Sequence, residues 1–136
     1  MKTKRAIALS FVIGLAFFAT AVDIDVSKLP PPSDRKDVTF EKDIKPLFDK
    51  SCVGCHGAEK PKGKLQLDTL EATLKGGVDG KVLEPGKSAS SFLVANIAFV
   101  GDEDDRMPPP KDLAKYPKFT PEQVGLVRAW IDEGAK

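Results

Sequence analysis

A chain of 136 residues with 21 basic and 20 acidic side chains, one histidine and two cysteines has the size of a single domain and a nearly balanced charge. Such a balance excludes a nucleic-acid binder, which carries a basic excess or patch. The small stock of thiol and imidazole also excludes a four-ligand cage of sulfur and nitrogen.

Residues 1–21 have the pattern of an export signal. Lys2, Lys4 and Arg5 form a basic start, Ala6 to Phe18 is apolar apart from Ser10, and Ala19-Thr20-Ala21 offers a cleavage site. The apolar run falls short of the 18 or more residues expected of a spanning helix, so a cleaved signal and a periplasmic protein are expected. An uncleaved membrane anchor is the alternative. Cleavage removes three of the 21 basic residues and none of the 20 acidic ones, for a net charge of −2. Residues 22–37 contain Pro30-Pro31-Pro32 and no apolar period, which predicts an extended leader that packs little. The domain proper is expected over 38–136.

Phe40, Ile44, Leu47 and Phe48 recur at helical spacing, with Thr39 as the expected N-cap. Pro46 falls late for a first-turn proline and should kink this helix or move its start. The helix runs into Cys52-Val53-Gly54-Cys55-His56. This is C-x-x-C-H, the covalent attachment signal for c-type haem. Two thiols three positions apart can each add to one vinyl group of the same haem, while the adjoining imidazole reaches the iron. A dithiol redox centre would want an alternation of strands and helices that is absent around residue 52. A zinc site would need a fourth ligand, for which only a carboxylate or water remains. A Cys52–Cys55 disulfide would leave His56 unexplained. Gly54 and Gly57 are expected where a porphyrin edge approaches the backbone.

Beyond the motif, Leu65, Leu67, Leu70 and Leu74 form an apolar series, capped by Asp68 or Thr69 and closed at Gly76-Gly77. Ser88 or Ser90 should cap a helix through Phe92, Leu93, Ala95, Ile97 and Ala98 that ends at Gly101. The acidic run Asp102 to Asp105 is expected to be a solvated loop. Met107, the only methionine after residue 1, precedes Pro108-Pro109-Pro110, which should hold its backbone extended. With a haem already inferred, its thioether is the candidate distal iron ligand. Thr120-Pro121-Glu122-Gln123 opens the best-marked helix, with an N-cap, a first-position proline and a capping-box glutamine. Val124, Val127, Trp130 and Ile131 line one face, expected to pack on Phe40, Ile44 and Phe48.

These pieces in this order resemble the small mono-haem c-type cytochrome domain of planctomycete and verrucomicrobial proteins. The match runs from Phe40 to Phe48 into Cys52-Val53-Gly54-Cys55-His56-Gly57. It continues through Gly63 to Asp68, Leu74-Lys75-Gly76-Gly77, Pro85-Gly86-Lys87, Ser91 to Ile97 and Met107-Pro108-Pro109, and ends in Ala129-Trp130-Ile131 with Gly134-Ala135. The resemblance implies an all-α, cytochrome c-like fold whose first and last helices cross, with the haem in a crevice between them and the Met107 loop. It implies thioethers at Cys52 and Cys55, proximal ligation by His56 and distal ligation by Met107.

The expected function is that of an exported electron carrier with one covalent haem c, acting with redox partner proteins and no nucleic acid, as a monomer and not as an enzyme. Membrane association is expected only if the N-terminus is retained. The alternatives are a haem enzyme or ligand-binding protein with an open distal position, and a tethered subunit of a larger redox complex.

Overall fold

The computed structural model describes residues 24–136, so the expected signal segment lies outside the described residues. Helices and turns supply the regular structure; among the described residues there is one antiparallel bridge, between Gly77 and Gly80, and no strand. This agrees with the all-α expectation.

The first helical segment begins as a π-helical turn, Phe40–Ile44, and continues as α1, Lys45–Ser51. Pro46 explains the change of winding. It lacks the N–H that a continuous α-helix would bond at that point, and the Lys45 amide reaches back five residues to the Phe40 carbonyl. Thr39 occupies the N-cap position, but its side chain makes no capping bond. Asp43 takes over: its Oδ2 accepts the Thr39 amide at 3.0 Å and its Oδ1 accepts Arg35 Nη2 at 2.6 Å. Those two bonds, the Thr39 amide first, hold the Asp43 carboxyl below its ordinary value of 3.8.

Helix α2, Val53–His56, follows directly. Helix α3, Leu70–Lys75, is capped by Thr69, whose hydroxyl accepts the Ala72 amide at 3.2 Å, and it closes at Gly76 with φ 83°. Helix α4, Phe92–Ala98, is capped by Ser91 rather than by Ser88 or Ser90, which lie in a preceding 3-10 turn. It ends at Phe99, not at Gly101. Phe99 adopts the left-handed conformation, φ 61° and ψ 35°, and its amide bonds back into the last turn. Helix α5, Pro121–Asp132, has the expected capping box between Thr120 and Gln123.

The core forms where α5 meets the first helical segment. Trp130, Phe40, Phe48, Ile44, Val124, Val127 and Ile131 are all buried. The Trp130 ring lies 5.7 Å from Phe40 and 6.5 Å from Phe48, centroid to centroid, and each such aromatic pair adds about 0.5–1.5 kcal/mol beyond its buried area. The end of the chain returns to this cluster. The Lys136 carbonyl accepts the Phe40 amide at 3.0 Å and the Trp130 indole N–H at 3.1 Å.

The proline-rich leader does not float free. Leu29 is buried in the core cluster and Ile24 packs against it. The Ser33 amide donates to the Gly125 carbonyl at 2.9 Å, and Gly125 has no room for a Cβ because Pro31 O would stand 2.7 Å from it. Arg128, itself buried, donates from Nη1 to the Pro30 carbonyl at 2.5 Å and from Nε to Ser88 Oγ at 3.1 Å. Asp132 completes the network by accepting the Ser88 amide and hydroxyl, each at 2.9 Å. Prolines leave their carbonyls as unused acceptors, and the arginine of α5 takes one of them.

Candidate functional site

The attachment motif occupies one tight turn at the junction of α1 and α2. The Cys52 amide extends α1 by bonding Phe48 O at 2.8 Å, and the Cys52 carbonyl then accepts the amides of Cys55 at 3.0 Å and His56 at 2.9 Å. Three side chains are thereby fixed on one turn. Cys52 is 7% exposed and points into the core cluster, whereas Cys55 is half-buried. Burial pushes the Cys52 thiol up to about 12, with a smaller contribution from Cys55. Near neutral pH it therefore remains protonated and is a poor nucleophile or metal-binding thiolate. A neutral thioether would suit such a site.

His56 is half-buried, and its Nδ1 lies 3.2 Å from the Leu65 carbonyl oxygen. A carbonyl can only accept, so Nδ1 is the donor and the neutral ring carries its lone pair on Nε2. Burial lowers the imidazole's pKa from its ordinary 6.5, against the opposing pull of the Leu65 and Lys62 backbones. The ring is thus oriented and kept in the form that can ligate a metal. The Leu67 amide donates back to the His56 backbone carbonyl at 2.8 Å, so residues 65–67 hold both the ring and the backbone of His56.

Gly54 and Gly57, expected to make room for a porphyrin edge, are also confined by the protein itself. A Cβ on Gly54 would run into the ring and hydroxyl of Tyr116, and one on Gly57 would stand 2.8 Å from the Val53 carbonyl oxygen. Tyr116 carried no local sequence signal for this contact. Ser51 adds a second tie to the same segment, donating from Oγ to Pro117 O at 2.8 Å.

Met107 belongs to a separate element. Its amide donates to the Asn96 carbonyl near the end of α4 at 3.1 Å; its side chain is half-buried and the following Pro108 is buried. The Met107–Pro108 peptide bond is cis. From there the chain makes a 3-10 turn, Pro110–Asp112, and reaches Tyr116 and Pro117 beside the attachment turn. The Met107 loop therefore bridges α4 and the cysteine-bearing turn. The acidic stretch before it is a 3-10 turn, Glu103–Asp105, with Asp102, Glu103 and Asp104 exposed. Arg106, absent from the sequence-based candidates, links that turn to Met107 and donates from Nη1 to Glu103 Oε1 at 2.9 Å.

Residues 52–111 match the family model of planctomycete cytochrome C. No curated protein and no solved structure matches the chain. A cytochrome c domain implies covalently bound haem c and haem-linked electron transfer. The matched span contains both cysteines, His56 and Met107, and the donors available suit that group: two thiols on one turn, an oriented neutral imidazole and a thioether. From its first motif cysteine to just past Met107, the match supports a planctomycete-type cytochrome c domain.

Proposed function

We propose that the protein is an exported, mono-haem electron carrier that passes single electrons between redox partner proteins and catalyses no reaction by itself. The observation that carries this reading is the C-x-x-C-H turn with His56 Nδ1 tied to the Leu65 carbonyl, which directs the Nε2 lone pair outward as an axial ligand requires. Cys52 and Cys55 would hold the haem by thioether bonds. His56 would be the proximal ligand and Met107 the distal one, with the haem in a crevice between the crossing first and last helices and the Met107 loop. Bound haem c would supply a one-electron ferric/ferrous couple.

The chain's own contributions are positioning and exclusion of exogenous ligands. The Leu65 carbonyl holds the imidazole tautomer, the core around Cys52 excludes water, and the Asn96 carbonyl holds the Met107 backbone. If His56 and Met107 both ligated the iron, they would leave no position for a substrate, and the bound group would supply electron exchange alone. Periplasmic location, a cleaved signal and a monomeric state belong to the same proposal.

The test is acid denaturation and organic extraction of protein matured by a host competent for haem attachment. Colour should remain with the polypeptide, and Cys52→Ala with Cys55→Ala should abolish it. Haem that leaves into the solvent, or wild-type protein without haem, overturns the proposal.

A further inference from the structure

Arg106 stands next to Met107, and its guanidinium is only partly matched. Nη1 serves Glu103, an exposed partner, but Nε is buried and has no hydrogen-bond partner. The guanidinium carbon lies 5.8 Å from the centroid of the Phe99 ring, and Lys118 Nζ lies 4.1 Å from the same centroid. Phe99 is the residue held in the left-handed conformation at the end of α4. Two cations thus converge on one ring beside the Met107 loop. A buried N–H on a charged group calls for an acceptor, and an anionic oxygen satisfies it best.

We propose that Arg106 donates from Nε to a propionate carboxylate of the haem held by this domain, with its outer edge remaining on Glu103. The proposal rests on the haem reading above. Haem carries two propionates, which must be solvated, paired or neutralised wherever the ring is buried. Arg106 provides an inward donor for one of them, immediately beside the proposed distal ligand. An ionised propionate favours ferric iron, and the guanidinium offsets that charge. Arg106 therefore raises the reduction potential.

The test compares wild type, Arg106→Gln and Glu103→Gln, each purified with its covalent haem. In Arg106→Gln the propionate bending band of the resonance Raman spectrum should shift and the potential at fixed pH should fall. In Glu103→Gln the band should stay where wild type has it. An unmoved band in Arg106→Gln overturns the proposal, and so does an equal shift in Glu103→Gln, because Arg106 would then act through that ion pair. If Arg106→Gln does not accumulate, Arg106→Met decides: it keeps an apolar stem against Phe99 but has neither charge nor N–H donor, so a shifted band supports the proposal and an unmoved one overturns it. Wild-type protein with no pyridine haemochrome spectrum overturns this proposal together with the function. Wild type with haem and a band insensitive to position 106 overturns this proposal alone.

Discussion

Tyr116 fills the space beside Gly54 that a Cβ at position 54 would claim. Within a helix, replacing glycine by alanine ordinarily gains ~0.5–1 kcal/mol. Here the ring is in the way, and Gly54→Ala should instead cost about 1–3 kcal/mol by overpacking. In a Tyr116→Ala background the same substitution should be neutral or stabilising. Urea denaturation of the four proteins measures the coupling, and an equal cost in both backgrounds would show that Tyr116 is not the obstacle.

A buried arginine holds the leader. Arg128→Met keeps the apolar stem but removes the donors to Pro30 O and Ser88 Oγ, leaving Ser88 with Asp132. Hydrogen bonds from a charged group contribute roughly 1.5–3 kcal/mol, and a loss of that order is expected. Deleting residues up to Ser33 should also destabilise the domain, and the two changes together should cost less than their sum. A leader that can be removed without changing the urea midpoint would contradict the docking.

The Met107 assignment is tested by Met107→Ala. Thioether ligation favours ferrous over ferric iron, so the variant should retain covalent haem, show a lower reduction potential and bind carbon monoxide in the ferrous state. Wild type should resist carbon monoxide. If the variant differs from wild type in neither spectrum nor potential, a lysine or Tyr116 becomes the next ligand to examine.

Asp43 makes a prediction about acid. Its folded carboxyl titrates below 3.8 because it accepts the Thr39 amide and Arg35. The stability it adds is therefore fully present above 3.8 and is lost as pH falls through the folded value. Asp43→Asn should be less stable than wild type at pH 7, and the gap should narrow towards pH 3. Parallel stability profiles across that range would rule the linkage out.

The parts legible in the sequence are those whose cause is local. Thr120, Pro121 and Gln123 specify the start of α5 by their own chemistry, and Cys52, Cys55 and His56 declare their purpose by spacing. The π-helical turn was partly visible as the misplaced Pro46, although its form depends on which carbonyl the Lys45 amide reaches. Phe99 gave no signal, because side chains that favour the left-handed region are glycine and asparagine. The docked leader was hidden for another reason: backbone carbonyls such as that of Pro30 have no sequence signature, and their donor, Arg128, lies 98 positions away. Arg106 has no sequence signal of its own, because what marks it is an inner N–H left unmatched in the folded chain.

One oxygen, that of Lys136, accepts both the Phe40 amide and the Trp130 indole. In hydrogen-exchange terms, the Phe40 amide is released whenever Lys136 parts from the first helical turn, an opening that fraying of the last residues alone can supply. Its protection therefore gauges the docking of that end, and because one oxygen serves both donors, loosening it should unprotect the Trp130 indole N–H together with the Phe40 amide.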